Sequence, residues 1–431
     1  MKIKVSERQA ILQSLGNGVV PRVGLQHILV GREAELKAIS QDLALVTQGG
    51  ATMRFIIGDY GAGKTFFLSL VKLLALQKGL LVMTADVTSE RRLQGAGGQA
   101  LNLYSELTRN LSTRTRPDGG AMKSVIERFI ADAVAEGEKR EISTRDVIRH
   151  RLSTLSELVA GFDFADVLDT YFEAHENHDE DRQRAALKWL RGEYTSKLEA
   201  RKALGVRTMV DDDSIYDYIK LFARFATLAG YRGLLVCLDE LASVHSLSST
   251  QARNQNYDQL LRILNDVHQG SADHLGLMLG GTVEFLEDRR RGVFSHDALR
   301  TRLLPNEFAR NGLVDLTQPV MPLSQLSRDD ILNLLVKIRQ IKADGSDPVA
   351  LIDNEGLAAF VAQLLGSPGA ETLLTPRETV RRFVQLLSVL EQNPGQSWEQ
   401  LLPAPQSPAP LAHMTSNQQE SGRAELEAFR L

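Results

Sequence analysis

Cysteine is almost absent from this sequence, in which Cys237 is the only one among 431 residues. A single cysteine can form neither an internal disulfide nor a cysteine-based zinc site, so small domains held together by either are excluded. The nine histidines show no spacing typical of metal ligands. The sequence also has no G-x-S-x-G motif, and so gives no support for serine-hydrolase chemistry.

A strong charge of one sign is missing as well. Lysine and arginine total 50 against 54 aspartates and glutamates, which gives a formal net charge of -4. Such a balance creates no overall basic field that would favour nucleic acid, although a local basic patch is compatible with it. Basic residues concentrate at Arg289 to Arg302 and in a group made of Lys139, Arg140, Arg145, Arg149 and Arg151. Acidic residues interleaved with both groups lower their net positive charge. Direct contact with double-stranded DNA is therefore neither predicted nor excluded.

Long apolar runs are absent too. No uncharged stretch approaches the roughly 20 residues of a membrane span, and the start, Met1-Lys-Ile-Lys-Val-Ser, lacks the apolar core of a signal peptide. We therefore expect a cytoplasmic protein that does not enter a membrane. The composition, with 43% hydrophobic and 24% charged residues, is typical of a folded protein, and the length suggests two or three packed units.

In two parts of the chain, short apolar segments typical of buried strands alternate with segments whose apolar residues have helical spacing. This pattern predicts a parallel α/β sheet. The predicted strands are Met53–Ile57, Gly79–Val87, Gly233–Glu240, Leu275–Thr282 and a last one near Leu313–Leu316. The predicted domains are 1–90 (an N-terminal element and the first part of the core), 91–228 (an α-helical insertion), 229–322 (the second part of the core), 323–392 (an α-helical lid) and 393–431 (a proline- and glutamine-rich tail). A short helix is expected within the tail, at Glu420–Phe429.

The strongest functional signal is a glycine-rich loop directly after the first predicted strand. Gly58-Asp-Tyr-Gly-Ala-Gly-Lys-Thr65 matches the Walker A pattern, in which backbone N–H groups wrap phosphates and glycine permits their close approach. The following helix points its positive N-terminal end at the same anion. We expect Lys64 to reach the outer phosphates and Thr65 to bind Mg²⁺. The predicted nucleotide-binding residues of this motif are Gly58, Asp59, Tyr60, Gly61, Ala62, Gly63, Lys64, Thr65 and Phe66.

The natural partner of this loop is the apolar run Leu234–Leu238, which ends in Asp239 and Glu240. Open α/β sheets bind ligands at the carboxyl ends of their strands, so we expect both carboxylates near the phosphates. Asp239 would hold Mg²⁺ through water, and Glu240 would polarise the attacking water. An apolar run before Asp-Glu is common, and it is the pairing with the loop that favours this function.

Two further polar residues are weaker candidates. Thr282 closes the next predicted strand, where it could contact the γ-phosphate or the attacking water as a sensor 1, or could only cap the strand. Arg377 lies in Thr375-Pro-Arg-Glu at the start of a predicted helix. From there it could swing onto the nucleotide as a sensor 2, or it could lie in solvent.

The segment from Asp288 to Leu303 contains five arginines. Three interpretations compete for it. One arginine could stabilise transition-state charge in a neighbouring subunit, as an arginine finger does. The cluster could instead contact nucleic-acid phosphates, or it could be a charged surface loop.

Together, the phosphate loop, the distal Asp-Glu strand, the polar strand end and the α-helical lid resemble AAA+-type P-loop ATPases. The run from Leu29 to Glu33 looks like the element that packs beside adenine in the initiator-like branch, which implies nucleotide contacts for Val30 and Gly31. The chain also resembles the ATP-binding proteins of BREX phage-defence systems, of the C/D type, and its length is closer to the smaller D type. The residues that carry this resemblance are Gly18–Pro21, Val30–Glu33, Gly58–Thr65, Asp239–Glu240, Gly280–Thr282 and Ala298–Leu303.

The resemblance implies an AAA+/ASCE-like ATPase that uses ATP and Mg²⁺ within an anti-phage system, beside partners such as a DNA helicase or methyltransferase. It also implies self-association through a shared nucleotide site, with Arg302 as the preferred finger and Arg300 as the next candidate. The alternative is an ATP-gated scaffold that recruits a defence partner with little turnover of its own.

Overall fold

The computed structural model describes residues 3–309, 315–343, 347, 349–366 and 375–402. Five strands form one sheet in the order β2-β3-β4-β1-β5, and every pair of neighbours is parallel. The strands are β1 (Ala51–Ile57), β2 (Leu81–Asp86), β3 (Leu234–Asp239), β4 (Leu275–Gly281) and β5 (Val320–Pro322). This sheet with its many helices confirms the predicted α/β class.

Burial explains why the central strands could be read from the sequence. β3 and β4 are buried along their whole length, and a parallel strand covered on both faces needs apolar residues at nearly every position. The register pairs Ile57 with Gly281 and Asp86 with Asp239. The carboxyl ends of β1 to β4 therefore lie along one edge of the sheet.

The fifth strand differs from the prediction, which placed it near Leu313–Leu316. Residues 313 and 314 lie outside the described part of the chain, and residues 315 and 316 are not in a strand. Asp315 accepts hydrogen bonds from the side chains of Asn306 (2.8 Å) and Thr317 (2.6 Å), which hold its pKa below the ordinary value. This segment is thus a polar turn. β5, which pairs with β1 at the edge of the sheet, comes later in the chain and has only 3 residues, too few for a recognisable apolar pattern.

Between β2 and β3 the chain forms a run of helices. They are α4 (Gln99–Arg109), α5 (Met122–Arg140), α6 (Thr144–Leu152), α7 (Gly161–Glu176), α8 (Glu180–Leu190), α9 (Lys197–Leu204) and α10 (Ile215–Leu228). Their core is aromatic: Phe164 packs edge to face against Phe222 and Phe225, with ring centroids 5.4 and 5.7 Å apart. Asp212 caps α4 by accepting hydrogen bonds from the backbone N–H groups of Gly98 (2.7 Å) and Ala100 (2.9 Å).

The remaining helices precede, separate or follow the strands along the chain. They are α1 (Val5–Gly16), α2 (Glu33–Thr47), α3 (Lys64–Gln77), α11 (Ala242–His245), α12 (Thr250–Gln269), α13 (Val283–Glu287), α14 (Asp297–Leu303), α15 (Arg328–Ala343), α16 (Asn354–Gly366), α17 (Pro376–Gln392) and α18 (Trp398–Leu401). In the described ranges, none of the helices is both long and apolar enough to cross a membrane. The helix predicted at Glu420–Phe429 lies outside them.

The chain divides into two compact units that are interleaved along the sequence. The sheet unit consists of Glu35–Ile57 and Val71–Pro322, and the loop–lid unit consists of Met1–Ala34, Gly58–Leu70 and Leu323–Leu431. The core of the sheet unit is formed by strand residues and by the helices between β2 and β3. The loop–lid unit has its own core, in which Leu335, Ile338 and Phe383 are fully buried. The glycine-rich loop therefore groups with the lid helices.

Candidate nucleotide-binding site

The glycine-rich loop joins the end of β1 to the start of α3. Gly61 and Gly63 have φ angles of 83° and 91°, where L side chains are strained. A Cβ at Gly61 would lie 2.6 Å from Cγ2 of Thr375, and a Cβ at Gly58 would lie 2.9 Å from the carbonyl oxygen of Leu323. Backbone conformation and close packing therefore both require glycine in this loop.

Lys64 is the first residue of α3, and its side chain folds back over the loop. Its Nζ donates to the carbonyl oxygens of Gly58 and Asp59, each at 2.9 Å. The ammonium group thus lies at the N-terminal end of a helix of 14 residues. The helix dipole attracts anions to this end, so the helix and the ammonium group favour the same ligand charge. Thr65 is exposed in the first turn, and Phe66 is partly buried against the core of the loop–lid unit. The arrangement suits the binding of an anion such as a phosphate.

Arg32 supports the loop, a role that the sequence analysis did not assign. Arg32 is 6% exposed, and its Nη2 donates to the carbonyl oxygens of Ala62 (3.2 Å) and Ser324 (2.6 Å). One guanidinium group therefore ties the phosphate loop to the N-terminal element and to the segment before the lid. The Gly-Arg-Glu run was recognised in the sequence, but spacing alone does not reveal what a side chain contacts.

The element predicted to pack beside adenine is held by α15. Val30 is buried in the core of the loop–lid unit, and a Cβ at Gly31 (φ 63°) would lie 2.8 Å from the carboxyl carbon of Asp330. Lys337 donates to the carbonyl oxygen of Leu29 at 2.5 Å. Burial lowers the pKa of this lysine, and the charge of Glu33 opposes that effect. The adenine contact itself stays a prediction.

Arg377, the sensor 2 candidate, lies in the first turn of α17. Thr375 caps this helix by accepting a hydrogen bond from the backbone N–H of Glu378 at 3.4 Å. The Nη1 of Arg377 donates to the hydroxyl of Tyr60 at 3.3 Å, and its guanidinium carbon lies 5.8 Å from the centroid of that ring. Within the loop–lid unit, the structure brings this arginine to the phosphate loop.

Asp239 and Glu240 lie at the carboxyl end of β3 in the sheet unit. Asp239 is 8% exposed, and its Oδ1 accepts the backbone N–H of Glu240 at 2.9 Å. Glu240 is exposed and has a φ of 59°, a conformation that is uncommon outside glycine and often found at functional sites. The next N–H, that of Leu241, donates to the carbonyl of Gly280 at 3.0 Å. This turn places one buried and one exposed carboxylate in succession.

Asp86 is a second residue that the sequence analysis did not single out. It ends β2 directly beside Asp239 in the sheet register. Burial raises its pKa, the charge of Asp239 raises it further, and the charge of Arg91 opposes both. The sheet edge therefore concentrates negative charge at the ends of β2 and β3. The alignment of two strands is a tertiary property, which is why no local signal identified this residue.

Thr282 follows β4 and caps α13. Its hydroxyl oxygen accepts the backbone N–H of Phe285 at 3.1 Å. Capping uses an oxygen lone pair and leaves the hydroxyl hydrogen able to donate to another group. Both interpretations of Thr282 are therefore compatible with its geometry.

Arg300 and Arg302 lie on α14, also in the sheet unit. The Nη2 of Arg300 pairs with Asp297 at 2.9 Å, whereas Arg302 is exposed and donates to the carbonyl oxygen of Ala298 at 2.9 Å. Two exposed apolar residues follow in the chain, Leu304 (51% exposed) and Phe308 (78% exposed). Arg302 is therefore the more accessible of the two finger candidates, and it lies in a segment that presents apolar surface.

The second basic group is largely neutralised by ion pairs. Its acidic partners are Glu136, Asp169 and Glu173, and the paired arginines are Arg140, Arg145, Arg149 and Arg151. Paired arginines attract phosphates less strongly than unpaired ones. The insertion therefore offers less basic surface than its sequence suggests.

The candidate residues fall into two sets. The loop–lid unit carries Val30, Gly31, the loop Gly58–Phe66 and Arg377, and the sheet unit carries Asp239, Glu240, Thr282, Arg300 and Arg302. In the part of the chain that the structure describes, no three His, Cys, Asp or Glu residues are grouped so as to hold a metal ion.

A comparison with protein families gives one match over most of the chain. The family model described as BREX system ATP-binding protein BrxC/D matches residues 3–406. No curated protein matches the sequence.

Proposed function

The chain belongs to the BREX system ATP-binding proteins BrxC/D, and we propose that it binds ATP at the loop Gly58–Thr65 and hydrolyses it with Mg²⁺. The observation that carries this proposal is the position of Lys64 at the start of α3, where its Nζ donates to the carbonyl oxygens of Gly58 and Asp59 in the glycine-rich loop. An ammonium group at the N-terminal end of a helix is placed to bind a phosphate, whose oxygens carry negative charge. The family is one of ATP-binding defence proteins, and hydrolysis is the further step proposed here.

Thr65 and Asp239 are the proposed Mg²⁺ ligands. Mg²⁺ takes one or two carboxylate or hydroxyl ligands from a protein and completes its shell with phosphate oxygens and water. The donor set fits this requirement, because Thr65, an exposed residue, supplies a hydroxyl and Asp239, a residue that is 8% exposed, supplies a carboxylate. A bound Mg²⁺ would neutralise charge on the β- and γ-phosphates.

Glu240 is the proposed general base. An exposed carboxylate that follows the metal ligand directly can orient and polarise water while Asp239 stays on the metal. Glu240 also follows β3 at the carboxyl edge of the sheet, the edge at which Ile57 is paired with Gly281 and at which open α/β sheets bind ligands. Thr282 is proposed to donate its hydroxyl hydrogen to the γ-phosphate or to the attacking water.

The remaining nucleotide contacts are assigned to the loop–lid unit. Val30 and Gly31 are proposed to lie beside adenine, because α15 fixes this element through contacts near Asp330 and Lys337. Arg377 is proposed to bind phosphate as a sensor 2, since its guanidinium group already lies at the phosphate loop.

Arg302 is the proposed arginine finger, supplied by a second copy of the chain, with Arg300 as the next candidate. The exposure of Arg302 supports this order, and so does the ion pair that Arg300 makes with Asp297. Leu304 and Phe308 offer apolar area for the contact between copies.

Membership of the family places the chain in a multi-protein defence system, and we propose that nucleotide state is passed to a protein partner such as a helicase. The ion pairs of the insertion favour a protein over double-stranded DNA as the first contact. DNA binding is the weaker proposal, and an affinity that falls steeply with salt concentration would support it.

The test is ATP hydrolysis by the purified full chain as a function of its own concentration. We expect turnover to rise steeply with concentration, and Arg302→Ala to lower kcat by about 10³-fold. Mixing Arg302→Ala with Glu240→Gln should restore turnover, because one copy then supplies the finger and the other the base. Arg289→Ala is the control within the same segment.

Two outcomes would contradict the proposal. If the mixtures stay inactive, the proposal that two copies of the chain share one active site is wrong. Tight ATP binding without turnover at any concentration would favour the ATP-gated scaffold instead.

A further inference from the structure

Tyr60 is an unusual residue to find exposed in a phosphate loop. Tyr60 is 75% exposed, although an aromatic ring commonly packs against apolar neighbours. Its contact is with Arg377, whose Nη1 lies 3.3 Å from the hydroxyl and whose guanidinium carbon lies 5.8 Å from the ring centroid. The adjacent close approach of Gly61 to Thr375 keeps the loop beside the first turn of α17.

Arg377 differs from the other arginines of the same helix. Arg381 and Arg382 both donate to the carboxylate of Glu378, at distances of 2.7 to 2.9 Å, and this pairing lowers the pKa of Glu378. Arg377 has no carboxylate partner among the described residues. The neighbouring acid is thus occupied by other cations, and Tyr60 is the side chain that holds Arg377.

We infer that Tyr60 is a positioning residue that holds the guanidinium group of Arg377 at the phosphate loop before ATP binds. This inference rests on the proposed function, in which Arg377 contacts phosphate. A free arginine side chain loses much conformational entropy when it binds an anion, so a contact that restricts it beforehand raises affinity. The tyrosine supplies two restraints, a hydroxyl that accepts a hydrogen bond and a ring face that attracts the cation.

The two restraints can be separated by substitution. Tyr60→Phe removes the hydroxyl and keeps the ring, and we expect ATP affinity to fall about two- to fivefold. Tyr60→Ala removes both restraints and should lower affinity about five- to tenfold. Each effect should depend on Arg377, because Tyr60 acts through that side chain.

The experiment titrates the full chain with a fluorescent ATP analogue and measures its Kd for a double-mutant cycle. The variants are Tyr60→Phe, Tyr60→Ala, Arg377→Ala and the two double variants. In the Arg377→Ala background, we expect both tyrosine substitutions to change Kd by less than about 1.5-fold. Thermal unfolding should be unchanged in Tyr60→Phe, so that a loss of affinity cannot be attributed to folding.

The chain offers a matched control in Tyr231, whose ring lies 4.6 Å from the guanidinium carbon of Arg128. Tyr231→Phe makes the same substitution in a tyrosine–arginine pair of the sheet unit, and this variant should bind the analogue as the wild type does. Wild-type chain and Lys64→Ala test the proposed function itself: that function fails if the wild type does not bind the analogue, or if Lys64→Ala binds it as tightly as the wild type does.

The inference fails separately. If the wild type binds and Lys64→Ala does not, then an unchanged Kd in Tyr60→Phe and Tyr60→Ala would overturn it. Tighter binding by either variant would overturn it too, because Tyr60 would then hold Arg377 away from the nucleotide. An affinity loss that persists in full without Arg377 would mean that Tyr60 acts on ATP by another route.

Discussion

Replacing Arg32 by alanine should loosen the phosphate loop although this residue has no proposed contact with ATP. In the structure its guanidinium group donates to the carbonyl oxygens of Ala62 and Ser324, and the residue is 6% exposed. A hydrogen bond from a charged donor contributes about 1.5–3 kcal/mol, and a buried carbonyl left without a partner is costly. Two such bonds give about 3–6 kcal/mol, and we expect about 2–4 kcal/mol after relaxation and entry of water.

The assay combines denaturant unfolding with ATP titration of the full chain. Arg32→Ala should lower the free energy of unfolding by that amount and weaken ATP binding at least tenfold, which corresponds to about 1.4 kcal/mol. Arg32→Lys should show an intermediate loss, because the lysine side chain ends one bond short of the position of Nη2. Arg22→Ala, at an exposed position of the same unit, is the matched control and should change neither quantity. Wild-type ATP affinity in Arg32→Ala would refute the reasoning.

Two glycine substitutions separate backbone strain from packing in the same loop. Gly63→Ala should cost about 1–2 kcal/mol of unfolding free energy, because its φ is 91° but a Cβ there meets no atom within 4 Å. Gly61→Ala should cost about 2–5 kcal/mol, because it adds a contact of 2.6 Å with Thr375 to a similar backbone strain. Denaturant unfolding of the two variants measures the difference, and equal losses would contradict the role of Thr375.

The parallel strands could be predicted because burial on both faces leaves a simple signature. β3 and β4 are fully buried, so their apolar runs stand out from the surrounding helical periodicity. The glycine-rich loop could also be predicted from the sequence, because Gly61 and Gly63 adopt positive φ angles that glycine tolerates without strain. In both cases the physical requirement acts on consecutive residues.

Other features depend on contacts between distant segments. β5 is only 3 residues long and exists because it pairs with β1. Arg32 contacts a carbonyl 292 positions away in the sequence, and Asp86 gains its raised pKa partly from Asp239 on the neighbouring strand. The ion pairs that neutralise the arginines of α6 are likewise made with α5 and α7. No local pattern contains this information.

The most direct test of the central claim compares ATP binding and hydrolysis in Glu240→Gln. Glutamine has the same shape but cannot accept a proton from water, so the account predicts wild-type ATP affinity with hydrolysis reduced about 10²- to 10⁴-fold. Glu284→Gln, which alters an exposed glutamate in the first turn of α13, should leave both unchanged. Hydrolysis by Glu240→Gln at the wild-type rate would contradict the claim that this chain hydrolyses ATP with Glu240 as its base.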